Sequence, residues 1–297
     1  MILSVIVITY HRGAFLQQAL ESIYLQERIP GPYEVLVVDN GGDAVVGPSP
    51  RPDIEVRVVQ PGRNLGVAGG RNLGMSLARG DYLIVLDDDA AWHDSLDMAR
   101  FLELFTAEPC CACIAGKILN PATRAVDRHL LPAPDKDRLL HAEAPIPTPY
   151  FYGGVHALRA ECVREIGGYP ERLKFGMEEY DLSLRLVNAG YTILFHPAIA
   201  ALHYDAQTGR DIVGGGRWVE NAVNKTRVAW RLLPLPYPLT IALVWSAAVL
   251  VKTAQPGAVL RMWRTLWGER ELLRDEREVI SAGAVRYLKQ VGARLLY

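Results

Sequence analysis

The apolar run Tyr82-Leu83-Ile84-Val85-Leu86 passes without a break into three consecutive carboxylates, Asp87-Asp88-Asp89. A run of this length reads as a strand buried on both faces, the kind found inside a parallel sheet. Carboxylates at its end repel one another and are costly to desolvate unless a cation or a ring of donors meets them. A divalent metal held there by hard oxygen ligands would in turn hold a diphosphate. An acidic loop by itself is usually just solvated, so the rest of the chain has to decide.

Strand and helix signals alternate through the first half, the pattern of a mostly parallel sheet with crossover helices. Strands are expected over Ile2–Thr9, Glu34–Val38, Ile54–Val59, Tyr82–Leu86, Cys111–Leu119 and Phe151–Ala157. Helices are expected over Ala14–Gln26, with Phe15, Ala19, Leu20 and Ile23 on one face, and over Gly66–Ala78, Asp94–Ala107 and Arg159–Ile166. Residues 120–149 show no period and read as a long loop or insertion. Glu178–Ala189 has a stripe of Leu182, Leu186 and Ala189, and Tyr191–Phe195 and Ile199–His203 read as two short strands. Gly214-Gly215-Gly216 then opens a helical tail. The expected fold is α/β with a C-terminal α-helical region, divided into residues 1–210 and 211–297.

The chain has 297 residues, half of them apolar, which excludes wholesale disorder. Its net charge of −1 hides an asymmetry: residues 225–297 carry twelve Lys/Arg against five Asp/Glu, a balance of +7, which leaves −8 for the remainder. A basic C-terminal end suggests an anionic surface or ligand nearby. Cys110, Cys111, Cys113 and Cys162 lack the paired spacing of a zinc site and are expected to be free core thiols. The apolar N-terminus has no basic region or cleavage site and reads as a strand, not a signal peptide. Leu232 to Val251 runs twenty residues without a charge, but Pro234, Pro236 and Pro238 interrupt its first third. The 13 residues left are short for a span, so a helix on the membrane surface is expected, with a buried core helix as the rival. Trp218, Trp230, Trp263 and Trp267, interleaved with Lys225, Arg227, Arg231, Arg261 and Arg264, suit an interfacial anchor, although core packing is the commoner fate of such residues.

Polar residues at the carboxyl ends of parallel strands face the crevice where α/β proteins bind ligands, and Thr9, Asp39 and the acidic triplet all fall there. Asp39 can accept from a base N–H or cap the turn that follows it. The glycines of Asn64-Leu65-Gly66-Val67-Ala68-Gly69-Gly70-Arg71-Asn72 allow close backbone approach to a ligand or tight packing of a helix. Arg71 can pair with phosphate or stack on a base. Glu178, Glu179 and Asp181 sit where a helix dipole favours carboxylates.

In this order and spacing, Thr9-Tyr10, Val37-Val38-Asp39-Asn40, Asn64 to Asn72, Leu86 to Asp89, Gly153-Gly154 and Glu178-Glu179-Tyr180-Asp181-Leu182 with Arg185 resemble the family 2 glycosyltransferases of GT-A fold. The resemblance covers about residues 1–205. It implies a GT-A-type, Rossmann-like sheet and transfer of a sugar from a nucleoside-diphosphate donor with inversion, assisted by Mn²⁺ or Mg²⁺. The donor residues it implies are Thr9, Tyr10, Asp39 at the base, Asn64, Gly66, Arg71, Asp87, and Asp88 at the ribose. The metal ligands it implies are Asp89, Asp87 and His203. The family motif places an Asp at position 179 as the base that takes the acceptor proton. Here that residue is Glu179, one methylene longer, with Glu178 as the nearby alternative and Asp181 left to orient Arg185.

The expected function is therefore an inverting glycosyltransferase acting on a hydroxyl-bearing glycan or lipid-linked acceptor in cell-surface glycan synthesis. It would work in the cytoplasm or peripherally on the inner face of the cell membrane, through residues 225–297, with no nucleic-acid partner and with a homodimer left open. The alternative is a catalytically inactive nucleotide-sugar-binding scaffold at the membrane, suggested by the change from Asp to Glu at 179. A sugar nucleotidyltransferase would carry a Gly-rich basic loop after the first strand, where this chain has Tyr10-His11-Arg12-Gly13.

Overall fold

In a computed structural model that describes residues 2–173, 176–204 and 215–296, the first half of the chain winds as the alternation demands. The strand β1 (Leu3–Thr9) leads through helix α1 (Gly13–Tyr24) to β2 (Tyr33–Asp39), then β3 (Ile54–Val59), α2 (Gly66–Leu77) and β4 (Tyr82–Asp87). There follow β5 (Ala90–Trp92), α3 (Asp97–Ala107), β6 (Cys111–Leu119), α4 (Lys136–Leu140), β7 (Ile146–Pro147), β8 (Val155–Arg159) and α5 (Ala160–Ile166). Helix α6 (Glu178–Asn188) and β9 (Thr192–His203) complete the sheet region. The C-terminal helices are α7 (Gly215–Leu232), α8 (Tyr237–Thr253), α9 (Pro256–Gly268), α10 (Arg270–Asp275) and α11 (Ala282–Gln290).

The sheet order is β3-β2-β1-β4-β8-β6-β9-β5, with β7 on β9. The β3-β2-β1-β4 half is entirely parallel, and β6 and β9 are parallel to each other, so parallel pairing predominates. β8 runs antiparallel between β4 and β6 and joins the two parallel blocks. β1 and β2 are apolar on both faces because helices cover both, and Val5, Ile6, Val35 and Leu36 are fully buried. Glu34 is the exception inside this layer. Burial alone would raise its pKa, but the Ser4 hydroxyl, the Arg79 backbone and side chain, and Arg57 outweigh that and bring it down to about 2.

Several expectations change in detail. Phe151–Gly154 is not strand, and β8 begins only at Val155. The two short strands at 191–203 are one 12-residue strand, kept continuous by a register shift that accommodates His196 and Pro197 opposite Ala115–Lys117. The 120–149 insertion carries α4 and β7 and buries Leu131, Ala133 and Leu139. Ala189 is exposed while Leu184 and Val187 are buried, since α6 is covered on more than one side. Leu16 rather than Phe15 is buried on α1. The cysteines are free, and Cys110 is exposed whereas the other three are core.

The C-terminal helices are not detached from the sheet. Leu182 and Leu186 of α6 share one core cluster with Val228, Leu232, Ile241, Ile280 and Leu288. No helix among the described residues is long and apolar enough to cross a membrane. Only Pro238, Ile241, Ala242 and Val249 of α8 are buried, whereas Leu239, Leu243 and Val251 are exposed, as are Leu260, Trp263 and Trp267 of α9. The 210/211 division and Gly214 lie outside the described residues.

Candidate active site

Register places three of the expected residues side by side. Thr9 pairs with Asp39 across β1 and β2, and Ile8 pairs with Asp87 across β1 and β4, so all three strand ends open on the same edge. The chain turns sharply after β4, where the Asp87 N–H donates to the Gly154 carbonyl at 3.2 Å. It re-enters the sheet as β5, whose Ala90 pairs with His203. That short strand, unsignalled in the sequence, brings the end of β9 to the acidic triplet.

Asp87, Asp89 and His203 each present one ligand atom, and these atoms lie within 4.8 Å of one another. Two carboxylate oxygens and an imidazole nitrogen form a donor set that fits a divalent ion such as Mn²⁺ or Mg²⁺. His203 Nε2 lies 3.3 Å from Asp89 Oδ1. Arg12 supplies counter-charge to the two buried acids, with Nη1 at 2.9 Å from Asp88 Oδ1 and 3.1 Å from Asp89 Oδ2. Burial pushes the Asp88 carboxyl up to about 6, against the pull of Arg12. Asp88 Oδ2 and Thr9 Oγ1 are both buried, and the Thr9 hydroxyl works with Arg12 to favour the Asp88 carboxylate.

On the other side of Asp87 stands Arg71, 2% exposed on α2. Its Nη1 meets Glu179 Oε1 at 2.8 Å, and its Nη2 meets Asp87 Oδ1 at 3.2 Å and donates to the Gly153 carbonyl at 3.0 Å. The guanidinium thus ties the acidic triplet to the start of α6. Met177, in a left-handed conformation with φ 74°, sets the direction in which that helix begins. Gly153 explains the glycine pair: a Cβ there would lie 1.9 Å from Glu179 Oε1 and 2.5 Å from Arg71 Nη2. At Gly154 the nearest atom would be Asp87 Oδ2 at 3.2 Å.

Glu178 and Glu179 separate in environment. Glu178 is buried, its Oε2 has no partner, and burial followed by the charge of Glu179 raises it to about 8 despite Arg71. Glu179 keeps Oε1 on Arg71. Asp181 binds Arg185 Nε at 2.7 Å and Arg231 of α7 at 2.9 Å, an ion cluster that fastens α6 to α7.

At the far end, Asp39 borders a cleft of about 290 Å³ lined also by Tyr10, Asn40, Gln60, Arg63 and Asn64. Asn40 Nδ2 donates to the Gly66 carbonyl at 3.2 Å, and the Leu65 N–H donates to Asn40 Oδ1 at 3.3 Å, so the end of β2 holds the loop that starts α2. Asn64 accepts from the Gly66 N–H at 2.8 Å, and Gly66 adopts φ 69°. Gly70 and Gly74 serve packing instead, since Cβ atoms there would lie 2.9 and 2.5 Å from Ile8 and Ile6. Arg12, Asn40 and Gln60 were not singled out from the sequence. A basic residue three positions after β1, facing an acidic triplet, was the signal available for Arg12.

A family model described as glycosyl transferase family 2 matches residues 4–167, and one described as the N-terminal domain of galactosyltransferase matches residues 138–206. The chain is 34% identical over 88 residues to an uncharacterized glycosyltransferase of Bacillus subtilis, covering 29% of this chain and 32% of that one. It is 26% identical over 249 residues to the N-acetylglucosaminyl-diphospho-decaprenol L-rhamnosyltransferase of Mycobacterium tuberculosis, covering 71% of this chain and 78% of that one. Its span is thus about a third of the first of these relatives. The solved mannosyltransferase of Pyrobaculum calidifontis, in complex with GDP-Man and Mn²⁺, superposes with a TM-score of 0.59 at 20% identity, covering 97% of this chain and 78% of that one. That likeness shows the GT-A fold.

Proposed function

The chain belongs to glycosyl transferase family 2, and from that premise we propose that it moves a sugar from a nucleoside-diphosphate donor to a hydroxyl acceptor with inversion. The observation that carries the reading is the placement of the Asp87–Asp89–His203 set and the Arg71-held Glu179 on either side of one strand end. In it, Asp89, Asp87 and His203 hold a divalent ion, and Thr9, Tyr10, Asp39, Asn64, Gly66 and Asp88 receive the nucleotide. When bound, the ion neutralises charge that develops on the departing diphosphate.

Glu179 is the proposed base. Its Oε1 is engaged by Arg71, which turns Oε2 toward the acceptor hydroxyl and lets it accept that proton as the hydroxyl attacks the anomeric carbon. A single displacement of this kind inverts the configuration. Glu178, raised to about 8, carries its proton near neutral pH and is not available as a base there. Arg71 positions Glu179 and Asp87 in this reading through Nη1 and Nη2, and its Nε, buried without a hydrogen-bond partner, is a donor left for the nucleotide-sugar.

Residues 1–210 form the proposed transferase domain, and residues 211–297 an accessory helical layer. The exposed apolar residues of α8 and α9, flanked by Lys252, Arg261 and Arg264, support peripheral contact with an anionic membrane, and with it a lipid-linked acceptor on the cytoplasmic face. The experiment is nucleotide release from a panel of nucleoside-diphosphate sugars with Mn²⁺ or with EDTA, followed by anomeric analysis of the product. Metal-dependent release with inversion supports the proposal, and retention of configuration sinks it.

A further inference from the structure

The proposed function assigns groups to the donor, the metal and the acceptor proton, but none to the body of the acceptor. An acceptor subsite rests on that function, and the side chains around Glu179 bear on it. Two segments meet at this glutamate, and both carry tyrosines. Along Tyr150-Phe151-Tyr152 burial alternates: Phe151 is in the core, and the two tyrosines are half-buried. Gly153 follows, the residue whose missing Cβ admits Glu179. Tyr180 comes directly after Glu179 on α6. The three rings form one cluster, with Tyr150 edge-on to Tyr152 at 5.7 Å and to Tyr180 at 6.2 Å between centroids.

Two ammonium groups lie against these rings, and they differ in what else they touch. Lys136 Nζ is 5.7 Å from the Tyr152 ring centre and is held by the His129 and Leu131 carbonyls. Lys225 of α7 is 7% exposed, and its Nζ lies 3.1 Å from the Tyr180 ring centre. Its neighbours on α7 are satisfied: Asn224 donates to the Gly176 carbonyl at 3.2 Å, and Thr226 to the Ala222 carbonyl at 2.8 Å. Among the described residues no carboxylate pairs with Lys225 and no carbonyl accepts from it, and burial alone brings its pKa down to about 7. A ring face meets only one side of a group with three N–H donors, and a cation buried without an anion is costly. The sequence put Lys225 in a membrane-facing stripe, whereas it lies inside, against the residue next to the proposed base.

We infer that Lys225 and the Tyr150–Tyr152–Tyr180 cluster form an acceptor subsite, and that the acceptor is a sugar bearing an anionic group. The tyrosines offer a sugar ring apolar faces with hydroxyl groups at their rims. The anion, a phosphate ester or a carboxylate, supplies the partner that Lys225 lacks and accepts charge-assisted hydrogen bonds from an ammonium already removed from water.

The test is lysine carbon-13 NMR of the full chain in EDTA, so that no metal holds a phosphate at Asp87–Asp89. The probes are glucose 1-phosphate, N-acetylglucosamine 1-phosphate, methyl glucuronide and the neutral methyl glucoside, and the Lys225 signal is identified by its loss in Lys225→Met. A charged probe is expected to shift that signal and to bind about tenfold or more tightly than methyl glucoside. The phosphate and glucuronide arms tell the two sources of charge apart. Lys225→Met is expected to bring the charged probes down to the level of the neutral one. Tyr152→Leu is expected to weaken every probe, and unchanged binding removes the tyrosines from the subsite. No preference for charge in wild type, which decides even if Lys225→Met does not fold, or a preference that survives in Lys225→Met, overturns the subsite. Metal-dependent nucleotide release, measured separately, then leaves the proposed function standing, and its absence overturns both.

Discussion

Adding a single methyl group at Gly153 puts a number on how tightly the Arg71–Glu179 pair is built. The new Cβ would lie 1.9 Å from Glu179 Oε1, 2.5 Å from Arg71 Nη2 and 2.7 Å from Nη1. Gly153 is not in the left-handed region, so the Gly153→Ala backbone is unstrained and the effect is purely steric. The glutamate must move, and the 2.8 Å bond to a guanidinium that is 3% exposed is lost. A hydrogen bond to a buried charge contributes about 1.5–3 kcal/mol, so a fall in Tm of about 2–5 °C is expected for a chain of this size. The rate suffers more, because a base misplaced by about 1 Å costs roughly a hundredfold in turnover. Donor affinity should change far less than turnover, since Gly153 does not line the cleft at Asp39. Nucleotide release measures turnover, calorimetry the donor affinity, and a thermal melt the stability. Turnover and Tm both within error of wild type would refute the claim that this glycine exists to admit the Arg71–Glu179 pair.

Asp89→Ala should abolish the metal-dependent rise in Tm given by the donor nucleotide while leaving the apo protein close to wild type, because Arg12 keeps Asp88 at 2.9 Å; a thermal-shift panel with Mn²⁺ and EDTA checks it. Glu178 has a folded pKa of about 8, above its ordinary 4.5, so its contribution to stability is complete below about 4.5 and is lost as pH rises to about 8. Glu178→Gln removes that loss, and its Tm should gain on wild type as pH rises from 5 to 8 in buffered melts; parallel curves would contradict the sign. Leu243→Ser with Trp267→Ser, at positions 66% and 71% exposed, should cut sedimentation with anionic vesicles by about tenfold or more, since each side chain brings up to about 1.5–3 kcal/mol of apolar burial, and leave Tm unchanged.

The strands were legible wherever the chain is buried on both faces. β6, buried along nearly its whole length, matches its expected bounds, and so does the edge strand β3, where Ile54, Val56 and Val58 alternate with Glu55 and Arg57. β5 was not legible: three residues give no period, and what makes Ala90–Trp92 a strand is the neighbouring β9. Proline misled at 191–203, where it marks a bulge within one strand instead of a break between two. Within the site, the carboxylates could be found from their position at strand ends, whereas their partners could not. Arg71 was read toward the ligand because a guanidinium near a Gly-rich turn usually meets phosphate. That Glu179 lies within its reach depends on a contact across 108 positions of sequence. Gln60 was invisible for the same reason, since nothing local distinguishes a glutamine at a strand end from any solvated one.

Proton abstraction falls to Glu179 in the proposed mechanism, and not to its neighbour. The decisive comparison is the rate of nucleotide release with Mn²⁺ and acceptor for Glu179→Gln and Glu178→Gln, with donor affinity measured in parallel. Loss of general-base catalysis predicts a fall of about 10²–10⁴-fold in Glu179→Gln at nearly unchanged donor affinity, with Glu178→Gln retaining most of its turnover near neutral pH. Full turnover in Glu179→Gln, or its loss in Glu178→Gln alone, would contradict the assignment.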